Sequence, residues 1–307
     1  MRTEDSSSSQ PSFNELANQL ISQRQLAAAR SVLEGAIREM PREWKPVRDD
    51  SDLHILVCSF WNTEEFTAYV KAKQTGEYLI IWNAGSYSHA WHQLAVIAVE
   101  EGNLQSALSC IESGLALEPD HPDLWNEQGY ILSRQGRYAD SLPSYERAAT
   151  VRDWATASQT ARALRGKGST LIDVKRLDEA EAALRQSLAL DPESKIGASE
   201  LEYAVQLQRI QELRAKLAES YDFPGLDFEP DEAIGRCVGG KAFRLRCGST
   251  QVAVALIGTE RVILVGDHAA EKLAGRIGVG FIHARELAER VVNGFFAGRG
   301  ENPVGRE

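Results

Sequence analysis

Large apolar and small residues recur at helical spacing in the middle of the chain, and the same arrangement occurs twice, 34 residues apart. Trp91 corresponds to Trp125, and Gly102 corresponds to Gly136. Each copy predicts two helices joined by a turn, in which the glycine ends the first helix in a left-handed conformation. A single unit of this kind exposes an apolar face, so the pattern predicts further units that cover it.

The residue classes and the period resemble the tetratricopeptide repeat, a helix–turn–helix unit that stacks into a solenoid. The positions that carry the resemblance are Trp91, Leu94, Ala95, Ala98, Ala107, Ile111, Gly114 and Pro119 in the first copy, and Trp125, Gly129, Leu132, Tyr145 and Ala148 in the second. The second copy departs from the family pattern at Gln128, Ser141 and Asp153. The resemblance implies stacked helix pairs whose first helices line a concave groove.

Weaker forms of the pattern predict repeats on both sides of the central pair. We expect one repeat at residues 10–43 and a run of repeats at 88–194, although Arg24 and Lys175 stand where a turn glycine is usual. Residues 195–220 read as one long amphipathic helix without a turn signal. Such a helix is typical of the cap that ends a repeat array.

Residues 44–87 break the helical period. Two short runs rich in β-branched and aromatic residues, HILVCSFW and EYLIIWNAG, predict strands. Between them, a helix is expected to begin at Asn62 or Thr63 and to end at Gly76. We therefore expect a β–α–β insertion beside the repeats, with an atypical helical repeat as the alternative.

The character of the chain changes near its end. Residues 221–232 are rich in Pro, Gly and acidic side chains and predict a linker. Residues 233–300 predict a small α/β domain, ordered β–β–β–α–β–α, whose last two strands pair in parallel. Residues 1–9 are expected to be a disordered tail, and 301–307 a polar one. The predicted fold class is thus mainly α: a TPR-type helical solenoid with a β-α-β insertion and a small C-terminal α/β domain that resembles no family we recognise.

Charge is distributed unevenly along the 307 residues, whose net charge is −10. Residues 1–232 hold 23 Lys/Arg against 37 Asp/Glu, a net −14, whereas residues 233–307 hold 11 against 7, a net +4. An acidic repeat region makes nucleic acid an unlikely ligand, because binding phosphates requires clustered positive charge.

The sequence contains neither an apolar run of membrane-spanning length nor an apolar signal core at its start. We expect the four cysteines, which lack metal-type spacing, to be reduced thiols. These features predict a cytoplasmic location.

The resemblance implies that groove-facing positions of the first helices bind a protein or peptide partner. The candidates are His89, His92, Asn126, Tyr130, Arg134, Arg162 and Arg165. The arginines favour an acidic ligand, although the Lys/Asn pair of the family's carboxylate clamp is missing from the first repeat. The alternative is a concave face that is merely solvated. His89 and His92 have a spacing that can bind a metal, but no third ligand is apparent, so we expect neither a metal nor a cofactor.

Two patterns near the end of the chain suggest chemistry. GRCVGGKA, residues 235–242, matches the phosphate loop, but a predicted strand follows it and Ala242 replaces the hydroxyl residue that binds magnesium, so we reject a nucleotide site. A second candidate site comprises residues expected at the carboxyl ends of two parallel strands. Its members are Asp267, His268, His283 and Arg285. The alternative is that Asp267 simply caps the helix that begins at His268.

The favoured function is therefore a protein–protein interaction scaffold that binds its partner through the groove. The C-terminal domain would be a second docking surface or a self-association module. The alternative is a repeat-regulated effector whose C-terminal domain is an enzyme or a small-ligand sensor. Familiar catalytic signatures such as GxSxG and HExxH are absent from the sequence, so enzymatic activity stays uncertain. A third option is nucleic-acid binding by the basic end of the chain.

Overall fold

This computed structural model describes residues 11–50, 52–73, 78–83, 85–218, 226–238, 240–247, 249–259 and 261–286. The chain divides into two compact units, Met1–Ala198 and Ser199–Glu307. The predicted fold class is confirmed: helix pairs dominate the first unit, and the two small sheets lie in the insertion and in the C-terminal region. No helix within the described ranges is long and apolar enough to cross a membrane.

The described residues of the first unit contain four helix pairs. They are α1 (Phe13–Ser22) with α2 (Leu26–Arg38), α4 (Tyr87–Glu100) with α5 (Leu104–Leu117), α6 (Pro122–Arg134) with α7 (Tyr138–Thr150), and α8 (Ala157–Asp173) with α9 (Leu177–Leu190). Side chains fix several of the helix starts. Ser12 and Glu15 form a capping box at α1, and Thr156 and Gln159 form another at α8.

All four turns within the pairs contain one residue in the left-handed region. Gly102 and Gly136 have φ of 76° and 73°, and Arg24 and Lys175 have φ of 60° and 64° at the corresponding positions. The turn geometry is therefore kept where glycine is replaced, at a conformational cost of roughly 1–2 kcal/mol for each side chain.

Tyr145 fills the space between neighbouring pairs, where two glycines make room for its ring. A Cβ atom built on Gly129 lies 3.0 Å from the ring, and one built on Gly166 lies 2.3 Å from its Cε1 atom. These two helix positions therefore require glycine, and they bring α6 and α8 against the same aromatic side chain.

The insertion is a three-stranded sheet with one helix. Its elements are β1 (Val47–Asp50), β2 (Ile55–Cys58), α3 (Thr63–Lys73) and β3 (Leu79–Trp82). The strand order is β1-β2-β3; β2 pairs with β1 antiparallel and with β3 parallel. We did not expect β1, because its VRDD sequence is polar and three of its four residues are exposed. One face of the sheet is covered by α3 and by Trp154 from the spacer before α8.

The second unit is a five-stranded sheet with helices. Its strands, in sheet order, are β4 (Leu226–Pro230), β5 (Lys241–Cys247), β6 (Thr250–Ile257), β7 (Val262–Gly266) and β8 (Gly280–His283), and its helices are most of α10 (Lys195–Ala218), α11 (Glu232–Val238) and α12 (His268–Ile277). Among the described strands of this unit, only β7 and β8 pair in parallel, as the sequence predicted. The predicted final helix lies almost wholly outside the described residues.

Two expected boundaries in this region differ from the structure. The expected cap, residues 195–220, contributes Ile210, Leu213 and Leu217 to the core of the second unit rather than only ending the repeats. The expected linker, 221–232, contains β4, because alternate residues such as Phe228 pack on the sheet core while acidic ones face outward. The acidic residues and the proline of this edge strand led the sequence to be read as a linker.

Candidate partner-binding groove

The insertion places an aromatic side chain on the first helices of the central repeats. Trp61 lies between β2 and α3, and its indole stacks on the imidazole of His121, with ring centroids 3.7 Å apart and planes at 18°. The His89 ring is also stacked on it, at 4.4 Å and 9°. The indole Nε1–H donates a hydrogen bond to Ser88 Oγ at 3.3 Å. The chain itself therefore covers a position at which a partner was expected.

Glu65 anchors the insertion from the first turn of α3. Asn62 caps this turn by accepting the Glu65 N–H, and the Glu65 side chain is only 1% exposed. Its carboxylate accepts hydrogen bonds from the Trp61 N–H at 3.0 Å and from Gln159 Nε2 at 2.5 Å. Burial alone would raise the Glu65 pKa, but the nearby His121 and these donors hold it at about 2. Glu65 is therefore ionised and bound on several sides.

Gln159 connects the insertion to the repeats. The capping box at the start of α8 fixes this side chain, because Gln159 Oε1 accepts the Thr156 N–H at 3.1 Å. Its Nε2 group is then free to donate to both Glu65 and Asp123, the latter at 2.7 Å. Asp123 also accepts a bond from Arg162 Nη1 at 3.1 Å. One amide thus joins α3, α6 and α8.

Burial keeps the groove histidines neutral. It lowers the pKa of His89 to about 3 and also lowers that of His92. His92 Nε2 lies 3.8 Å from Glu127 Oε2, and burial raises the pKa of Glu127 to about 7. The two histidines are therefore uncharged near neutral pH, where Glu127 is only partly ionised. Asn126 is also buried, at 8% exposure.

The other four predicted residues remain accessible in different degrees. Tyr130 is 37% exposed, and its hydroxyl accepts a hydrogen bond from Arg134 Nη1 at 2.7 Å. The Arg162 side chain is 51% exposed despite its bond to Asp123. Arg165 is half-buried and donates to Ser194 Oγ at 3.1 Å. The structure thus divides the seven candidates into a covered group, His89, His92 and Asn126, and an accessible group on α6 and α8.

Family models of the tetratricopeptide repeat match residues 88–121 and 120–193. Together these matches cover residues 88–193, about a third of the chain. The helix pairs at 88–193 are therefore tetratricopeptide repeats, and the insertion lies directly before the first matched one. A comparison with curated proteins finds no match.

Several solved repeat proteins are similar to the chain at low identity. PilF of Pseudomonas aeruginosa is 16% identical over 67% of this chain and 71% of its own, with a TM-score of 0.44. The first TPR of Spaghetti (RPAP3), bound to the HSP90 peptide SRMEEVD, is 17% identical over 39% of this chain and 92% of its own, with a TM-score of 0.36. The Sgt2 TPR domain from Aspergillus fumigatus is 16% identical over 42% and 82%, with a TM-score of 0.37.

The tetratricopeptide groove contains a group of residues with metal-binding donor types, which the sequence did not suggest. Ligand atoms of Glu65, His121 and Asp123 all lie within 4.8 Å of one another. His121 is the N-cap of α6, however, and its Nδ1 accepts the Asp123 N–H at 3.2 Å. The ring proton therefore belongs on Nε2, the atom that faces Glu65, where it leaves no lone pair for a metal. The arrangement fits a hydrogen-bonded polar cluster better than a metal centre.

The candidate residues of the C-terminal unit lie at one end of β7 and β8, where Gly266 pairs with His283. Asp267 caps α12 through the Ala269 N–H at 2.9 Å, and the neighbouring His268 contacts Glu271 at 3.1 Å. His283 Nδ1 accepts the N–H of Arg285 at 3.3 Å. Asp267 is therefore the N-cap of α12, which is the role that the capping interpretation assigned to it.

The same unit has a cleft of about 690 Å3 that sequence analysis missed. Its most distinctive side chain is Lys241, whose Nζ lies 4.2 Å from the Tyr203 ring centroid and whose pKa is lowered by burial. The rejected phosphate-loop sequence supplies part of the lining, including Gly235 and Gly240. The order here is helix, loop and strand, the reverse of a phosphate loop's, because α11 precedes the loop and β5 follows it.

The residues that attach the insertion were not predicted from the sequence. Trp61 was assigned to a strand and Glu65 to the ordinary acidic first turn of a helix. Arg152 was not singled out, yet it is buried against Glu118 and its guanidinium lies 4.3 Å from the Trp154 ring centroid. A signal was present in the sequence: the segments 60–65 and 152–159 each combine a tryptophan with charged residues and do not follow the repeat pattern.

Proposed function

We propose that this protein is an interaction scaffold whose tetratricopeptide array binds an extended acidic segment of a protein partner. The segment binds where the insertion leaves the groove accessible, along α6 and α8. The observation that carries the proposal is the exposed guanidinium group of Arg162 on α8, together with the Tyr130–Arg134 pair on α6, in an otherwise acidic repeat region.

The chemistry of this surface suits carboxylates. Asp123 holds the Arg162 guanidinium through one nitrogen, and the remaining N–H groups stay available for a ligand. Arg134 is held by the Tyr130 hydroxyl, which restricts its rotamers without neutralising its charge. Hydrogen bonds between such groups and carboxylates contribute about 1.5–3 kcal/mol each. Two arginines with restricted rotamers therefore favour a segment with at least two acidic side chains.

The covered part of the groove sets a limit on the binding mode. Asn126, where the family's clamp uses an amide, is buried, and the neighbouring Glu127 is buried enough to hold its pKa near 7. This environment does not suit a terminal carboxylate. Internal acidic side chains of the ligand, rather than its C-terminus, are therefore the groups that bind.

Fluorescence anisotropy with labelled acidic heptapeptides tests the proposal. SRMEEVD, the peptide bound by the first TPR of Spaghetti (RPAP3), serves as one probe in free and amidated forms, with a lysine-substituted version as its control. We expect the acidic peptides to bind more tightly, amidation to change little, and Arg134→Ala with Arg162→Ala to weaken binding about tenfold or more. Arg185→Ala, at an exposed position of α9, is the matched control. Equal binding of acidic and lysine-substituted peptides would contradict the proposal.

A small-ligand sensor is the second candidate, favoured by the cleft around Lys241. The cleft lies away from the Asp267 and His283 edge considered from the sequence. Thermal-shift screening of small carboxylates and phosphates against the full chain tests this function. A ligand that stabilises the parent chain but not Lys241→Met supports it, and equal stabilisation of both excludes this cleft as the site.

A further inference from the structure

The sheet of the insertion has one covered face and one open face. Strand residues alternate between the two faces of a sheet. On the covered face, Leu56 and Cys58 are 7% and 0% exposed beneath α3. On the open face, Leu79 and Ile81 are 62% and 44% exposed. These are among the largest apolar exposures in the described part of the chain, and an apolar face of this kind typically marks an interaction surface.

The strand register arranges the open face in two parallel rows. Each row crosses all three strands and has one charged residue on β1 followed by two aliphatic residues on β2 and β3. The rows are Arg48–Val57–Ile81 and Asp50–Ile55–Leu79. Between them lies the row that points to the covered face. The open face is therefore apolar over two strands and carries one positive and one negative side chain along the third.

We infer that this face binds the same face of a second copy of the chain. The two copies are related by a two-fold axis between the sheets and perpendicular to the strands. With this axis, the row Arg48–Val57–Ile81 of one copy packs on the row Asp50–Ile55–Leu79 of the other. Aliphatic side chains then pack on aliphatic side chains, and Arg48 of each copy meets Asp50 of the other. A two-fold interface requires this self-complementarity, and the face has it both in the positions of its aliphatic side chains and in its charges.

The other possible face-to-face arrangement does not fit. A two-fold axis along the strands lays β1 of one copy over β3 of the other. Arg48 and Asp50 would then be pressed against Ile81 and Leu79 without an opposite charge. Burying charges without partners is costly, so the perpendicular axis is selected.

The size of the face sets the strength of the dimer. Three strands about 4.8 Å apart, with four residues of about 3.3 Å each, give a footprint on the order of 190 Å2. Standard interfaces bury about 800 Å2 of surface on each partner. The dimer is therefore weak and reversible, and it forms only at high protein concentration.

Sedimentation equilibrium of the full chain over a wide concentration range provides the test. We expect the average mass to rise towards twice the monomer mass. Arg48→Asp and Asp50→Arg, each alone, place like charges together and weaken association about tenfold or more. Mixing these two variants restores association, because one is acidic at both positions and the other basic at both. The double variant R48D/D50R also restores it, which excludes simple unfolding as the cause.

Two outcomes overturn the inference. One is a parent chain that stays monomeric at all concentrations. The other is association that persists unchanged in Arg48→Asp, Asp50→Arg and Ile81→Lys, which shows that copies meet through a different surface. Circular dichroism melting of each variant confirms that the compared proteins are folded.

Discussion

Two parts of the same groove were assigned one role from family geometry, yet their environments differ. In the covered part, His89 stacks on Trp61 of the insertion, and burial lowers its pKa. In the accessible part, Tyr130 and Arg162 reach solvent. The difference teaches that a groove-facing position in a repeat is a binding position only when the rest of the chain leaves it uncovered. Substitutions and pH changes that act on only one part of the molecule should separate the two environments.

Removing the carboxylate that attaches the insertion should give the largest loss of stability. Glu65→Ala leaves Gln159 without one of its acceptors and empties a site that is 1% exposed. We expect a loss of about 3 kcal/mol in the free energy of unfolding. Urea denaturation measures it. Glu64→Ala, at an exposed position of the same turn, is the control and should change stability by less than about 0.5 kcal/mol. Equal effects would show that the insertion is not attached through Glu65.

Acid should weaken the covered part specifically. The His89 pKa is about 3 when folded, against an ordinary 6.5. Between these values the unfolded chain binds a proton that the folded chain does not, so stability is complete above pH 6.5 and decreases as the pH falls. The loss from His89 is on the order of 2 kcal/mol by pH 5.

Burial of Glu127 acts in the opposite direction. Its pKa is raised to about 7 from an ordinary 4.5, so the folded chain binds the extra proton in that range and stability decreases as the pH rises. The His89 measurement is therefore best made in a Glu127→Gln background, with and without His89→Gln. A pH dependence that is the same in both chains would contradict a buried neutral His89.

Packing around Tyr145 should be intolerant of a single methyl group. Gly166→Ala places a Cβ atom 2.3 Å from the ring, and we expect a loss of about 1–3 kcal/mol as the ring is displaced. Gly275→Ala in α12 is the matched control, because nothing lies within 4 Å of its Cβ position. The control should gain about 0.5–1 kcal/mol from helix propensity. Thermal unfolding distinguishes the two, and a neutral Gly166→Ala would show that α8 is not held this closely against Tyr145.

The smallest effect concerns the turns. Lys175 has φ of 64°, so Lys175→Gly relieves left-handed strain. The more flexible unfolded chain offsets part of this gain, leaving a stabilisation of up to about 1 kcal/mol. Calorimetry compares this variant with Lys167→Gly, in the interior of α8. Lys167→Gly relieves no left-handed strain and should lose about 1 kcal/mol of stability, so the comparison separates strain relief from the flexibility that glycine adds. A destabilised Lys175→Gly would contradict the strained turn.

Features set by local periodicity were predictable from the sequence. The spacing of Trp91 and Trp125 predicted the central repeats, and the family match at 88–193 confirms them. The short runs rich in β-branched and aromatic residues predicted β2 and β3 of the insertion. These signals come from burying one face of an element, which leaves a periodic trace in the sequence.

Features set by contacts between distant segments were not predictable. β1 is polar because Arg48 and Asp50 lie on the open sheet face and Asp49 is also exposed, so it lacked a β signal. Trp61 covers His89 only because the insertion packs on the first helices, a contact without any periodicity in the sequence. The accessible part of the site, including Arg134, was predicted from family geometry, and its role in binding stays a prediction.

The most direct test of the account follows the Trp61 indole N–H by NMR while an acidic heptapeptide is added to the folded chain. This group is hydrogen-bonded to Ser88 in the covered part of the groove. We predict that the guanidinium signals of Arg134 and Arg162 shift with peptide concentration while the Trp61 indole signal stays in place. Loss or large displacement of the indole signal on binding would show that the peptide displaces the insertion, and would contradict the division of the groove into a covered and an accessible part.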